Sequence, residues 1–145
     1  MTELDAGEMA FWHAWKLAAD TVRARIAEDI NTEAGLSDAD FGVLTRVAEI
    51  GGGQMRQNAL AEAMGWHRSR LSHQLTRMEQ RGLLTRQPVD GGVQVRLTPT
   101  GRDRVRHARP VHAAAVRRHL IDQLDPTQRE YLRQALDTLT LSRPQ

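Results

Sequence analysis

Leu60-Ala-Glu-Ala-Met-Gly-Trp-His-Arg-Ser-Arg-Leu-Ser-His-Gln-Leu-Thr-Arg-Met-Glu-Gln-Arg-Gly82 holds two helical patterns that meet at one glycine. Leu60, Ala61 and Met64 recur at helical spacing in the first, and Leu71, Leu75 and Met78 form the apolar stripe of the second. Gly65 supplies the left-handed residue that a tight turn between helices needs, and Gly82 stops the second helix in the same way. Trp66, in the turn, is expected to plug the core between the two. At about 100° per residue the side opposite the second stripe carries Ser69, His73, Thr76, Arg77 and Gln80, flanked by Arg70 and Arg81. No carboxylate falls on that face. It suits a reader of the DNA major groove, because base edges offer acceptors and phosphates are anionic, but taken alone the pair fits a solvated helical hairpin equally.

The residues after Gly82 separate those two readings. Leu83–Gln87 and Val93–Thr98 alternate around the turn residues Pro88-Val89-Asp90-Gly91-Gly92, which predicts a β-hairpin. A helix-turn-helix succeeded by a hairpin is a winged helix. Gln54-Met55-Arg56 reads as a short third strand leading into the helix that starts near Gln57 or Asn58. Upstream, Phe11, Trp12, Trp15, Ala19, Val22, Ile26 and Ile30 set a long helix from about Glu8 to Asn31. Ser37-Asp38-Ala39-Asp40 then caps another, with Phe41, Leu44 and Ala48 inward and Gly51-Gly52-Gly53 closing it. Downstream, Thr98-Pro99 opens a long helix with Val105, Ala108, Val111, His112, Ala115 and His119 on its buried side and a kink or break at Pro110. Asp125-Pro126 opens a last helix striped by Tyr131, Leu132, Ala135, Leu136 and Leu139. The fold class is therefore mainly α, a winged helix-turn-helix with long N- and C-terminal helices and a small β-wing.

At 145 residues the chain buries one real core, yet the stripes of its terminal helices lack cover in a single copy, so a homodimer is expected. No run is apolar enough to span a membrane and the start lacks a signal peptide's basic-then-apolar pattern, which points to a soluble, cytoplasmic protein. With no cysteine there is no disulfide framework, thiol switch or zinc ribbon. The formal charge of +2 is unevenly spread: Gln54–Arg109 carries eleven arginines against four carboxylates, a net of +7, which leaves −5 for the rest. Basicity concentrated on the winged-helix segment is the electrostatic footprint of a nucleic-acid surface.

Other constellations are weaker. His112 and His119 are seven apart and share a helix face, but no third ligand stands at metal spacing, so they fit a hydrogen-bonded pair better than a zinc site. No cofactor is expected. Neither a nucleophile elbow, a phosphate loop nor a His-Glu-x-x-His pattern occurs, and an enzyme would need two of His13, His112 and His119 to converge with a carboxylate. Trp12 and Trp15 either line a pocket for an aromatic effector or belong to the core or an interface.

Trp66–Leu84, then Arg86, Asp90 and Val95-Arg-Leu-Thr-x-x-Gly101, match in order the recognition helix, wing and post-wing motif of the MarR family, which the chain resembles over essentially its whole length. Pro110–Arg118 is similar to an actinobacterial-type branch. The resemblance implies a triangular homodimer in which the first, fifth and sixth helices of both subunits interlock. It also implies a winged helix from each subunit on a pseudopalindromic operator, with relief of repression by a phenolic or similar aromatic anion bound between dimer core and DNA lobe. The whole of 1–145 is then one MarR-like domain, with dimerisation helices in 8–36 and 102–145 and the DNA-binding lobe in 37–101. The wing departs from the pattern. Where the family usually places an Asp-Arg or Asp-x-Arg tip that enters the minor groove, Asp90 is followed by Gly91 and Gly92 in a shortened loop, so no tip arginine is present to reach it.

The expected function is that of a dimeric, sequence-specific repressor that binds double-stranded DNA and involves neither enzyme activity nor a membrane. Ser69, Arg70, His73 and Arg77, with Ser72 beside them, read the major groove; Arg56, Arg68, Arg86 and Arg96 hold backbone phosphates. An effector would lie near Trp12, Trp15 and His112. The alternative is a winged-helix interaction module whose basic face binds an acidic partner protein.

Overall fold

The computed structural model describes residues 2–142. The chain divides into two compact units, one made of residues 27–112, the other of the described residues in 1–26 and 113–145. Helices α1 (Ala6–Ala34) and α5 (Pro99–His119) contribute to both.

In the unit 27–112, Ser37 opens α2 (Asp38–Glu49) with a reciprocal cap: its hydroxyl accepts from the Asp40 backbone N–H at 3.0 Å, and the Asp40 carboxylate accepts from the Ser37 N–H at 3.1 Å. Val43, Leu44 and Val47 of α2 are buried, whereas Phe41 and Ala48, expected inward, are half-buried. Phe41 instead stacks on His112 of α5, with ring centroids 5.0 Å apart. Strand β1 (Gln54–Arg56) leads directly into α3 (Gln57–Met64), which ends at Gly65 with φ +66°. That left-handed residue turns the chain into α4 (Arg68–Gln80). Leu60, Leu71, Leu75 and Met78 meet in the core, as the spacing predicts.

Strands β2 (Leu84–Val89) and β3 (Gly92–Leu97) form the wing, and β1 adds to the far side of β3, giving an antiparallel sheet in the order β1-β3-β2. The strands run closer to the tip than the alternation predicts. Pairing continues through Pro88↔Val93 to Val89↔Gly92 and leaves only Asp90 and Gly91 as the turn. Pro88, which has no N–H to donate, is tolerated because β2 is an edge strand.

Thr98 joins wing to helix. Its hydroxyl donates to the Gly82 carbonyl at 2.6 Å and accepts from the Gly101 N–H at 3.0 Å, capping α5 as the sequence suggests. Gly101 is required by crowding: a Cβ there would stand 2.0 Å from the Leu83 carbonyl oxygen. The post-wing Leu-Thr-x-x-Gly motif is thus a capping residue plus a glycine that lets α5 pass against backbone. Helix α5 runs through Pro110 unbroken, so of the kink or break expected there the break does not occur. The cost is local, since proline removes the one intrahelical donor that would have reached the Arg106 carbonyl.

The other unit holds the first part of α1, the end of α5, a 3₁₀ turn (Ile121–Gln123) and α6 (Pro126–Leu141). Asp125 caps α6, accepting from the Gln128 N–H at 2.8 Å. Of its apolar side chains only Ala115 is buried among the described residues, while Phe11 is 76% and Leu139 63% exposed. None of the described helices is long and apolar enough to cross a membrane.

Candidate nucleic-acid interface

The exposed edge of α4 begins at a helix terminus that no side chain among the described residues caps, which leaves its first N–H groups open. Arg68, Ser69 and His73 stand exposed beside it, and their side chains have no hydrogen-bond or ionic partner among the described residues. Ser72 is half-buried and faces the cleft between α4 and the wing that Gln57, Glu79 and Arg86 also line. Two further arginines are held. The Arg70 guanidinium lies 3.9 Å from the centroid of the Trp66 ring, and Arg77 Nη2 donates to Gln74 Oε1 at 2.7 Å. Trp66 is therefore not the plug of the helix-turn-helix core; half-buried, it offers a ring face on which a guanidinium rests.

Behind Arg77 is a network that apolar periodicity does not reveal. Gln74 is 5% exposed and donates from Nε2 to Asp40 Oδ1 at 2.8 Å; Asp40, itself 4% exposed, also receives Arg81 Nη1 on Oδ2 at 2.9 Å. Burial pushes the Asp40 carboxyl up, but Arg81 and the Ser37 N–H and hydroxyl outweigh it and hold the group below its ordinary value. Asp40 is ionised at neutral pH. Arg81, expected from the sequence to flank the exposed face, is committed inward to this carboxylate.

The four arginines expected on phosphates are differently placed. Arg68, at the start of α4, has no partner among the described residues. Arg86 binds the Glu79 carboxylate at 3.1 Å and the Thr76 hydroxyl at 2.8 Å, so it ties β2 to α4. Arg96 Nη2 donates to Gln54 Oε1 at 2.9 Å across the β3–β1 pair. Arg56 Nη1 donates to the Asp90 carbonyl at 2.6 Å. A cation from β1 thus sits on the wing's turn, although the turn itself carries none.

His112 lines a cleft of about 450 Å³ with Phe41, Thr45, Arg46, Glu49 and Arg109. Arg46 is directed to the Gly42 and Ala63 carbonyls, and Arg109 faces Glu49 at 3.3 Å. Trp12 and Trp15 belong to the other unit, where both are exposed; Trp12 lines a groove with Leu4, Gly7, Glu8 and Phe11. Among the described residues no three His, Asp or Glu side chains gather in a metal-binding arrangement.

Residues 34–92 match the model of the MarR family. No curated protein matches at a significant level. Among solved structures the chain is similar to AbsC, a MarR family transcriptional regulator from Streptomyces coelicolor, with 32% identity over 97% of this chain and 96% of that one and a TM-score of 0.85. It is also similar to Sco3205, a MarR family transcriptional regulator from the same organism solved in complex with DNA, with 27% identity over 97% and 90% of the two chains and a TM-score of 0.83. BpsR of Bordetella bronchiseptica, whose DNA binding is regulated by 6-hydroxynicotinic acid, shares the fold at 22% identity, a TM-score of 0.75, and coverage of 96% and 99%. By its likeness to AbsC along nearly the whole of both chains, this protein belongs to the MarR family of transcriptional regulators.

Proposed function

We propose that the protein is a homodimeric repressor that binds a pseudopalindromic operator with α4 in the major groove. The observation that carries this reading is the exposed edge of α4. It presents Arg68, Ser69, Arg70, His73 and Arg77, it bears no carboxylate, and two of its guanidiniums are already held in place by Trp66 and Gln74. Arg77 spends one N–H on Gln74 and keeps four, enough to fork onto the O6 and N7 of a guanine. Arg68 and the open start of α4 suit a phosphate. Sco3205, which has the same fold and is described with DNA bound, supports the reading.

The dimer is inferred from the exposed apolar side chains of α1 and α6, Phe11, Trp12, Trp15, Leu17, Tyr131 and Leu139 among them. In this reading Trp12 and Trp15 serve that surface. An effector, if an aromatic carboxylate, would take the cleft of Phe41, Arg46, Arg109 and His112 by stacking on its rings, and would have to draw Arg109 from Glu49 to gain a guanidinium for its charge.

Titration of a duplex enriched by the protein from a randomised library, against a scrambled duplex at moderate salt, tests the function. The enriched duplex is expected to bind more tightly by roughly a thousandfold or more. Equal affinity for both would favour a basic surface built for an acidic protein.

A further inference from the structure

Three groups stand in line from the core to the exposed edge of α4. The Asp40 carboxylate is an acceptor only, the Arg77 guanidinium a donor only, and the Gln74 amide lies between them with Nε2 on Asp40 and Oε1 on Arg77. Polarity leaves the amide no choice: turned over, it would set its oxygen against a carboxylate and its NH2 against a guanidinium. Both inner members are almost wholly buried, so water does not substitute for either partner. Asp40 is fixed in turn by the Ser37 N–H on Oδ2 and by Arg81, so its position is set by α2 and by the end of α4 together. A polar residue at position 74, on the inward side of a helix, is costly unless it does a task that leucine cannot.

We propose that Asp40 and Gln74 are positioning residues for DNA reading, which act by holding the Arg77 guanidinium in one orientation over the operator. Neither touches DNA. The inference rests on the reading of α4 as the recognition helix, and it adds that specificity is set partly from α2, by a residue 34 positions earlier in the sequence than the amide it fixes.

Gln74→Leu removes both bonds while filling a similar volume. Affinity for the wild-type-enriched duplex is expected to fall roughly fivefold or more, the scale of coupling within one hydrogen-bond network, with affinity for a scrambled duplex nearly unchanged. The same substitution in an Arg77→Ala background should cost nothing further, which a merely structural role would not produce. Asp40→Asn is the second variant for the case in which Gln74→Leu does not fold. It keeps shape but no longer dictates which way the amide points, so preference should fall there too. Additive losses in the double variant, or full preference retained in Gln74→Leu or in Asp40→Asn, would overturn the proposal. If the wild-type protein enriches no sequence at all, the recognition-helix reading falls first and this inference with it.

Discussion

The two units of this chain use the same kind of amphipathic pattern and end in opposite states. In residues 27–112 the stripes of α2, α3, α4 and the wing close on one another, and Leu44, Leu60, Leu71, Leu75, Met78 and Val95 lose essentially all contact with solvent. In the other unit the stripes of α1 and α6 are equally regular, yet Phe11, Tyr131 and Leu139 remain open. Periodicity creates an apolar face; only topology decides whether the same chain covers it. One unit therefore covers its apolar faces within a single copy, and the described residues of the other leave theirs open.

The widest separation between them should appear in stability. Leu75→Ala leaves a cavity in the closed core and should cost about 2–5 kcal/mol, read from urea denaturation. A loss under about 0.5 kcal/mol would mean that the core is not packed as described. Leu132→Glu places a charge on the open stripe of α6 instead, and sedimentation at micromolar concentration is expected to show a dimer for the wild-type protein and a monomer for the variant. A wild-type monomer at that concentration would remove the comparison altogether.

Within the closed unit the next effect is on DNA. Arg77→Ala should cost about 1–3 kcal/mol on the enriched duplex and little on a scrambled one. Arg68→Ala, at the residue proposed to hold a phosphate, should weaken both alike and lower the salt slope by about one. Acid titration gives a smaller signal. Because Asp40 is held below its unfolded value of 3.8, the unfolded chain takes up its proton first as pH falls. The stabilisation from its ionised form is complete above roughly pH 5 and disappears as pH drops through the folded value, so the gap in unfolding free energy between wild type and Asp40→Asn should close in acid. A gap that stays constant from neutral pH into acid would show that the charge of Asp40 contributes nothing. The smallest change is Gly92→Ala: its Cβ would approach Arg56 Nη1 no nearer than 3.8 Å, and both stability and affinity should stay within about 0.5 kcal/mol.

Much of this architecture is legible from residues alone. Gly65, Gly82 and the Thr98-Pro99 cap are local signals, and their conformations need nothing beyond their neighbours; even β1, three residues long, is visible from its place before α3. The side-chain network is not. Asp40 is legible only as the third residue of a cap, and its second task depends on Gln74 and Arg81 arriving from a distant part of the chain. A polar residue in phase with Leu71, Leu75 and Met78 is the available signal. Arg56, Arg86 and Arg96 illustrate the same gap: charge places them on the basic surface, but whether an arginine is free for phosphate depends on acceptors that sequence spacing does not locate. Trp66 departs from expectation because an aromatic residue in a turn usually faces inward, and here the cation four residues on lies over its ring.

The central claim is that α4, and not the wing, discriminates sequence, and one competition experiment addresses it. In the enriched operator, a guanine facing the recognition helix is changed in one duplex and an A·T step under the wing in another, and each competes with the parent for the wild-type protein. The account predicts a loss of about 1–3 kcal/mol for the guanine and almost none for the A·T step, because the turn's one side chain, the Asp90 carboxylate, only accepts while the minor-groove edge of an A·T pair offers acceptors alone, and Arg56 is engaged on the Asp90 carbonyl. Comparable losses at the two positions would show that the shortened wing reads sequence and would contradict the assignment.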